Sequence, residues 1–371
     1  MPENLTPEEQ SLAATCRTFA AEVLLGTAAA ASTPEDARRR VREASKAAGL
    51  FPMTQPARFG GTEAGHLALT IARETLAASN PPYLDAVFGP SPGVLGGVGE
   101  PLASSHLAPL LAGERRGGFG FTEPDDAPTP TSGTIDGDEL VVNGQKSYVT
   151  GGGDADFINT LVHVEDRGPS MVVIDTALAG VTLARRFSSL DGSHHAAFTF
   201  SDVRVPLAHI VGEPGQGLPR AMRQIGDVRM LIAAQACGYM QWVLSLLTDH
   251  LKAPDKAGTP RGARDVVRLR YADLRIKAFA ARSMLYRTAR IADGGDNVVN
   301  EAMACKIFAT EAVGEVVDTA IQLVGGGALV DDHPLSALYK RVRAWRLAEG
   351  ASDVLRLNIG RGILELDKGR I

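Results

Sequence analysis

The amino-acid sequence predicts an α+β fold in which helices come first, a small antiparallel barrel or sandwich follows, and a helical bundle ends the chain. Two observations lead to this prediction. Apolar residues recur at helical spacing in both end regions, whereas residues 117–217 contain short apolar or alternating runs separated by turn residues. Helices and strands that are segregated along the chain are typical of α+β proteins.

The N-terminal region predicts four helices. Residues 6–9 combine a threonine N-cap, a proline at the first helical position and a glutamate at the third, and residues 33–36 carry a similar start signal. We expect the second helix to end at Gly49, because glycine commonly terminates helices. Apolar spacing predicts a third helix over residues 67–78, and a short helix over residues 102–111 follows a loop rich in proline and glycine.

The middle region predicts short strands in a small antiparallel barrel or sandwich. Asn143-Gly144 and Asp191-Gly192 are predicted turns between strands, and the region ends near Pro206 and the turn at residues 212–217. The predicted strands cover residues 140–142, 157–164, 171–174, 181–183 and 197–200.

The C-terminal region predicts long helices from Leu218 onward. There is no glycine fingerprint after a predicted strand, which argues against a dinucleotide-binding doubly wound domain. One predicted helix keeps the spacing of a helix packed in a bundle, with Leu274, Ala278, Ala281, Leu285 and Thr288 on one face.

Composition excludes several function classes. The chain has 371 residues and a formal net charge of −5, and its arginines are scattered, which argues against a nucleic-acid partner. Cys16, Cys237 and Cys305 lack metal-ligand spacing and fit a reducing, cytoplasmic setting. The polar N-terminus does not resemble a signal peptide, and we expect no apolar run long enough to span a membrane.

Residues 322–353 form the most informative stretch. Two predicted helices flank a glycine run and a turn at residues 331–334, and Glu349 then precedes three small residues. Small residues let a ligand approach the backbone closely. We therefore predict that Glu349 is a catalytic base and that the glycine run holds part of a cofactor. A solvated glutamate and a glycine-rich helix C-cap are the simpler alternatives.

Several motifs, taken in order, make the sequence resemble the acyl-CoA dehydrogenase family over nearly the whole chain. The resemblance implies an N-terminal helical domain (residues 1–116), a middle antiparallel β-barrel domain (117–217) and a C-terminal four-helix bundle (218–371). It also implies FAD as the cofactor and a homotetramer built from dimers. The motifs are Phe121-Thr122-Glu123-Pro124, Asn143-Gly144-Gln145-Lys146 with Tyr148-Val149-Thr150, Phe200-Ser201-Asp202-Val203-Arg204-Val205-Pro206, and residues 322–326 with Glu349-Gly350.

The resemblance implies that two segments contact the flavin ring. Backbone groups and the Thr122 hydroxyl would hydrogen-bond the polar rim of the ring, and the aromatic side chain of Tyr148 would stack beside it. An ordinary strand with a half-buried tyrosine is the alternative for residues 148–150. The predicted ring-contacting residues are Phe119, Phe121, Thr122, Tyr148, Val149 and Thr150.

The resemblance places Gln322, Gly325 and Gly326 at the adenosine end of FAD on a neighbouring subunit. A Cβ at the glycines would block the approach of a phosphate or ribose. Ser352, which follows Glu349 by three residues, is a further predicted cofactor-binding residue.

For Glu349, the resemblance implies removal of the α proton of an acyl thioester while a hydride leaves the β carbon for the flavin. A carboxylate needs a dry pocket to raise its pKa toward neutrality, and hydrogen bonds must stabilise charge on the thioester oxygen. Some relatives carry the base immediately before the position of Arg229, but Val228 occupies that place here. Arg229 and Gly350 are predicted to lie near the substrate, with a structural ion pair as the alternative for Arg229.

Three departures from the family pattern fall on expected ligand contacts. Acids and prolines at residues 125–130 replace a Gly-Ser-Asp loop, and a proline nitrogen cannot donate to a phosphate. Pro254 and Ala257 stand where an arginine and a phenylalanine usually reach the FAD of the partner subunit. Ala351 replaces a threonine.

These departures leave three hypotheses open. The leading one is an FAD-dependent dehydrogenase of an acyl-CoA or acyl-carrier thioester, with an electron acceptor such as an electron-transfer flavoprotein. It would act as a homo-oligomer, either a dimer or a tetramer, or as a heteromer with a related subunit. The second is a flavin-poor partner subunit or thioester-binding scaffold in such a heteromer. The third is a flavin enzyme that reacts with oxygen, for which Glu349 would not be needed.

His194 and His195 are adjacent, so their side chains are expected on opposite faces of a strand. Such a pair does not readily chelate one metal ion. We interpret both histidines as surface or packing residues.

Overall fold

The structure is a computed structural model that describes residues 4–27, 30–367, 369 and 371. Two short segments, Ala20–Thr27 and Ala103–Leu107, have π-type hydrogen bonding. The α-helices of this described part are α1 (Pro7–Phe19), α2 (Pro34–Ala47), α3 (His66–Ala77), α4 (Ala108–Ala112), α5 (Gly217–Lys252), α6 (Asp265–Asp293), α7 (Val299–Val324), α8 (Pro334–Ala344) and α9 (Ser352–Leu366).

The predicted starts of the first two helices are confirmed. Thr6 Oγ1 accepts the Glu9 N–H at 3.3 Å, and the Glu9 carboxylate accepts the Thr6 N–H at 2.8 Å, which completes a capping box. Thr33 Oγ1 accepts the Asp36 N–H at 3.1 Å at the start of α2. Gly49 follows the end of α2 with a φ of 72°, the left-handed conformation expected after a helix.

The middle region forms a seven-stranded sheet that is antiparallel apart from two pairings. The strands are β1 (Gly117–Gly120), β2 (Ser132–Asp136), β3 (Glu139–Thr150), β4 (Phe157–Val164), β5 (Gly168–Asp175), β6 (Val181–Ser188) and β7 (His194–Pro206). One edge of β4 pairs with β5, and its other edge pairs in parallel with both β1 and β2; β3, β7 and β6 follow in that order. The parallel pairs were not predicted, because an alternating pattern carries no strand direction.

The Asn143-Gly144 pair does not form the predicted turn. Both residues lie inside β3, where the pairing with β7 shifts between Val142 and Gly144. Asn143 Nδ2 donates to Asp202 Oδ1 at 3.0 Å, and Asn143 Oδ1 accepts the Asp202 N–H at 2.8 Å. These bonds hold a β-bulge. The turn between β2 and β3 lies at residues 137–138 instead, whereas the predicted turn at Asp191-Gly192 is confirmed.

The chain divides into two units. The first comprises Met1–Met53, Glu63–Phe88 and Gly226–Ile371, and the second comprises Thr54–Thr62 and Gly89–Ile225. The three domain boundaries drawn from the sequence stay a prediction. In the first unit, a large apolar core receives side chains from α3 and from α5 to α8. The predicted inner face of α6 is confirmed, since Leu274, Ala278, Ala281, Leu285 and Thr288 are all buried.

Helix α5 overturns the expectation that no apolar run is long enough for a membrane span. Its 36 residues include an 18-residue window with a mean hydropathy of 1.4, which meets the length and composition of a spanning helix. However, 67% of that window is buried inside the protein. Cys237 of this helix and Cys305 of α7 both belong to the apolar core. The burial of α5 is that of a core helix.

Candidate active site

Glu349 lies in the turn between α8 and α9 of the first unit. The chain reaches Glu349 and Gly350 with φ values of 53° and 100°. A left-handed backbone costs about 1–2 kcal/mol at a residue with a Cβ, so surrounding contacts must hold Glu349 in this conformation. A side chain at position 350 would also clash, because its Cβ would lie 2.9 Å from Leu355 Cδ2.

Two buried cations contact this turn. Arg229 of α5, which is 7% exposed, donates from Nε to the Glu349 carbonyl oxygen at 3.0 Å. Lys306 of α7, which is 0% exposed, donates from Nζ to the Gly350 carbonyl oxygen at 2.7 Å. Because a trans peptide is planar, a carbonyl directed at a cation directs the next N–H to the opposite side. The N–H groups of Gly350 and Ala351 therefore face away from these cations.

The electrostatics of the turn favour acid–base chemistry. Burial raises the pKa of Glu349 above its ordinary value, and the charges of Arg229 and Lys306 partly oppose this rise. Burial also lowers the pKa of Lys306 to about 8, and the Arg229 charge adds to that effect. The turn thus combines a carboxyl that resists ionisation with a lysine that resists protonation. Perturbations of this kind concentrate at functional sites.

Lys306 is absent from the residues predicted from the sequence. A signal was present, because Lys306 occupies a helix whose neighbours at three and four positions on either side are apolar or small. Those neighbours, Ala302, Met303, Ala309 and Thr310, are all buried. A lysine is rarely fully buried without a partner, so its place on an inner helix face indicated a buried acceptor.

Ser352 is the first residue of α9 and is buried. Its N–H donates to the Arg346 carbonyl oxygen at 3.0 Å, and its hydroxyl lies 3.4 Å from the same oxygen. Ala351 is the N-cap of α9 and supplies no side-chain bond, whereas a threonine in that place would be a good cap. The predicted contact between Ser352 and a cofactor stays a prediction.

Three predicted ring-contacting residues lie on or just after β1 in the second unit. The rings of Phe119 and Phe121 stack with their centroids 5.9 Å apart and pack against an apolar cluster of that unit. The Thr122 carbonyl accepts the Ser147 N–H at 2.8 Å, while the Thr122 residue is exposed. The phenylalanines therefore serve packing within this unit, and the exposed Thr122 hydroxyl is the group that a ligand can reach.

An ion pair joins two of the sequence motifs. Lys146, which is 1% exposed, donates from Nζ to Glu123 Oε1 at 2.7 Å, and the same oxygen accepts the Thr131 N–H at 2.8 Å. Burial opposes ionisation of Glu123, but the hydrogen bonds from Lys146 and Thr131 outweigh it and leave the pKa of Glu123 below its ordinary value. The glutamate of the first motif and the lysine of the second are thus structural partners.

Replacing Lys146 with methionine is expected to lower the free energy of unfolding by about 3 kcal/mol, because Glu123 is left partly buried and unpaired. Adding Glu123→Gln to that variant removes the unpaired charge and should recover much of the loss. Urea denaturation measures the free energy of unfolding of the single and the double variant. Arg204→Met, which breaks exposed ion pairs on the same sheet, is the control and should leave the free energy of unfolding nearly unchanged. If Lys146→Met and the double variant lost the same free energy of unfolding, Lys146 and Glu123 would not be structural partners.

A second shift in the pairing of β3 displays Tyr148. The shift lies between Lys146 and Val149, and Tyr148 has a φ of 53° and is 62% exposed. Val149 is fully buried, whereas Thr150 is exposed. A strained backbone that presents an aromatic ring beside an exposed hydroxyl offers a surface for a planar ligand. The predicted contact of these residues with the ring of FAD stays a prediction.

A cavity of about 620 Å³ lies in the first unit at the end of α7. Gln322, Gly325 and Gly326 line it, and Gly325 has a φ of 90°, which favours glycine. The volume suits a group of nucleotide size. The charged residues of its lining are Asp318, Asp331 and Lys340, so acids outnumber bases at a place where a phosphate would need the reverse.

The structure shows how two departures from the family pattern fold. Asp125 and Asp126 are both exposed. They lie in a turn that is closed by a hydrogen bond of 3.1 Å from the Ala127 N–H to the Pro124 carbonyl oxygen. In the loop after α5, Asp255 Oδ1 accepts the N–H groups of Ala257 and Thr259 at 2.9 and 3.1 Å. The loop that carries Pro254 and Ala257 is therefore a turn whose polar groups pair locally.

A further cluster in the second unit brings together His106, Asp175 and His209, with ligand atoms within 4.8 Å of one another. The residues are far apart in sequence, which is why spacing did not indicate them. Asp175 is hydrogen-bonded by His106 and by the guanidinium of Arg115, and these bonds lower the pKa of Asp175 to about 2. Because Arg115 already supplies positive charge beside Asp175, the Asp175 carboxylate has its partners without a metal ion. We interpret the cluster as an ion-pair and hydrogen-bond network.

Three family models match this chain in order. They are the N-terminal, middle and C-terminal domains of acyl-CoA dehydrogenase, at residues 6–96, 118–203 and 215–364. The human mitochondrial short-chain specific acyl-CoA dehydrogenase is 28% identical over 97% of this chain and 91% of that protein. The probable acyl-CoA dehydrogenase YngJ of Bacillus subtilis is 28% identical over 85% of this chain and 87% of that protein.

Solved structures agree with the fold. The crystal structure of a probable acyl-CoA dehydrogenase from Mycobacterium abscessus superposes with a TM-score of 0.84 and 26% identity, covering 96% of this chain and 99% of that chain. A putative acyl-CoA dehydrogenase from Mycobacterium smegmatis gives a TM-score of 0.84 with 25% identity, covering 97% and 98%. The predicted order of helical, β and helical regions is confirmed. With all three domains matched in sequence, the chain belongs to the acyl-CoA dehydrogenase family of FAD-binding oxidoreductases.

Proposed function

We propose that this chain catalyses the α,β-dehydrogenation of an acyl thioester, carried by CoA or by an acyl-carrier protein, with Glu349 as the base. Membership of the family supports acyl-CoA dehydrogenation in general. The observation that carries the finer proposal is the Glu349 turn. Glu349 is half-buried and the pKa of its carboxyl is raised by burial, its backbone is strained, and two buried cations contact the peptide carbonyls of residues 349 and 350.

In the proposed reaction, the Glu349 carboxylate takes the proton from the α carbon of the substrate. A hydride leaves the β carbon, and the electron pair of the α C–H bond becomes the second bond between the two carbons. FAD, when bound, accepts this hydride. The product is an α,β-unsaturated thioester, and Glu349 is left protonated until it releases the proton.

Negative charge develops on the thioester oxygen as the α proton leaves, and hydrogen-bond donors must meet it. The resemblance implies the N–H of Glu349 as one such donor. Arg229 and Lys306 hold the carbonyls of residues 349 and 350, which anchors the turn that follows this N–H and directs the N–H groups of Gly350 and Ala351 away from the two cations. They act as positioning residues, and their charges also limit how far the pKa of Glu349 rises.

FAD would be held by two sets of residues of this chain. Thr122, Tyr148 and Thr150 suit the ring, because they present an exposed aromatic side chain and exposed hydroxyls. Gln322, Gly325 and Gly326 line a cavity that suits the adenosine end of an FAD bound to a second copy. Both sets of residues have acids nearby, which would repel the FAD phosphates. These acids are Asp125 and Asp126 after Thr122, and Asp318 and Asp331 in the cavity.

We propose a cytoplasmic homo-oligomer, a dimer or tetramer, which passes electrons to an acceptor such as an electron-transfer flavoprotein. Helix α6 supports the assembly, because four large apolar residues spaced along it are 57–68% exposed, and packing against another copy would bury them. They are Val266, Leu269, Ile276 and Phe279.

A flavin-poor partner subunit of a heteromeric complex is the second candidate. The specific observation in its favour is the loop after α5, where Pro254 and Ala257 replace the residues that usually reach a partner's FAD and where the polar groups pair locally. In that case the chain would bind a thioester or a related subunit without holding FAD alone.

The visible absorption spectrum of the purified full chain separates the two candidates. The proposed dehydrogenase should carry FAD, or take it up when FAD is added, and acyl-CoA thioesters should bleach it in the absence of oxygen. A thioester without an α hydrogen is the control and should leave the spectrum unchanged. A chain that stays colourless with added FAD would overturn the proposal for the isolated protein. If it gained flavin only with a related subunit, the second candidate would stand.

A further inference from the structure

A row of hydrogen bonds runs from Thr150 into the turn between β6 and β7. Thr150 and His195 are paired across β3 and β7, which places the Thr150 hydroxyl 3.2 Å from His195 Nδ1. On its other side, His195 Nε2 lies 2.9 Å from Ser193 Oγ. Ser193 Oγ in turn lies 2.6 Å from Asp191 Oδ1. The row therefore links a residue predicted to contact the flavin ring with a carboxylate in the turn.

The chemistry of these groups sets the direction of each bond. An ionised Asp191 only accepts, so the single hydroxyl proton of Ser193 goes to Asp191. Ser193 Oγ must then accept a proton from His195 Nε2. In a neutral His195, Nδ1 consequently carries the lone pair and accepts the hydroxyl proton of Thr150.

This direction decides what Thr150 offers to a ligand. With its proton given to a neutral His195, the Thr150 oxygen presents lone pairs and is an acceptor. When His195 gains a second proton, Nδ1–H donates to Thr150, and the hydroxyl proton of Thr150 becomes free for the ligand. Protonation of His195 thus changes Thr150 from an acceptor to a donor.

The surroundings keep His195 neutral at ordinary pH. Burial lowers the pKa of His195, Asp191 opposes this shift, and His194 adds to it. The rings of Tyr148 and Phe187 pack against His195 with centroids 6.0 and 5.4 Å away. His195 also lines a small cavity of about 210 Å³, where Arg186 pairs with Asp154 at 3.2 Å. The charged or titratable groups that lie near His195 on the surrounding strands and turns are Tyr148, Asp154, Arg185, Arg186, Asp191 and His194.

We propose that His195 is a positioning residue that acts through Thr150 and couples proton uptake to the binding of the flavin ring. This inference rests on the proposed function. The contact in this proposal is between the Thr150 hydroxyl and nitrogen N5 of the ring, which would accept a hydrogen bond in an oxidised flavin and would carry a hydrogen and donate in a reduced one. Oxidised FAD therefore favours protonated His195, because Thr150 can then donate, and reduced FAD favours neutral His195.

The test follows His195 by NMR in the full chain with ¹⁵N-labelled histidine. Without flavin, His195 should be the Nε2–H tautomer, and Thr150→Val should shift its Nδ1 signal toward that of a nitrogen without a hydrogen bond. Thr150→Ser keeps the hydroxyl and should restore the wild-type signal. A flavin-free His195 that carries its proton on Nδ1 would overturn the inference.

Oxidised FAD should raise the pKa of His195 by about half to one unit in the wild type, the size of one net hydrogen bond. By linkage, oxidised FAD should bind about 3- to 10-fold tighter below that pKa than above it. Thr150→Val should lose this difference, while the signal of His194 serves as the internal control. An equal pKa shift in Thr150→Val would overturn the coupling and leave the dehydrogenase proposal intact. A chain that binds no FAD would overturn the proposed function, and the coupling with it.

Discussion

Glu349→Gln is expected to lower the rate of flavin bleaching by acyl thioester about 10²- to 10⁴-fold, the usual contribution of a positioned general base. Glutamine keeps the size and hydrogen-bonding capacity of the side chain but cannot take the α proton. Single-turnover measurements under nitrogen give the rate directly. FAD content should be unchanged, because the substitution leaves the backbone of the turn and its contacts with Arg229 and Lys306 in place.

Asp353→Asn is the matched control for Glu349→Gln. Asp353 is a nearby carboxylate at the start of α9 whose side chain is 97% exposed, so its loss should leave the bleaching rate unchanged. A normal rate in Glu349→Gln would refute the assignment of the base. A loss of FAD in that variant, with a normal rate after FAD is restored, would show that Glu349 supports the cofactor site instead.

The pH dependence of stability provides a second test of Glu349. Its pKa is raised by burial, so between the ordinary value of 4.5 and the raised value the folded protein binds more protons than the unfolded chain. Wild-type stability should therefore fall as pH rises through that window. Glu349→Gln should lack this fall, which urea denaturation at several pH values measures.

Lys306→Met is expected to reduce the bleaching rate about 10- to 100-fold, because it releases the Gly350 carbonyl and lets the strained turn move relative to the substrate. The Lys306 charge also lowers the pKa of Glu349. Without it, the limb of the pH–rate profile in which activity rises with pH should move to higher pH. A displaced limb would distinguish a positioning role from simple packing, since a packing residue changes stability and leaves the profile in place.

The contribution of Lys306 to the free energy of unfolding should have the opposite pH dependence to that of Glu349. The pKa of Lys306 is lowered from 10.5 to about 8, so the unfolded chain binds more protons between these values. Wild-type stability should rise with pH through this window, and the methionine variant should lack the rise. Lys252→Met, at the exposed end of α5, is the control and should change neither profile. If Lys306→Met kept the wild-type pH–rate profile, the positioning role would be refuted.

Local sequence was sufficient to predict the helices, their caps and the order of regions. The capping box at Thr6 and the inner face of α6 depend on residues within a few positions of one another, so spacing alone predicts them. The resemblance identified the family and drew attention to Glu349. Its role and those of the other predicted ligand contacts stay predictions.

Contacts between distant elements account for what local sequence did not predict. Lys306 meets Gly350 across 44 positions, and Lys146 meets Glu123 across 23, so no local pattern pairs them. The same holds for the Asn143 bulge, which depends on Asp202 in another strand, and for the row from Thr150 to Asp191. The identity of Glu349 is written in the sequence. Its partial burial, its left-handed backbone and its neighbouring cations exist only because α5, α7 and the turn after α8 pack together.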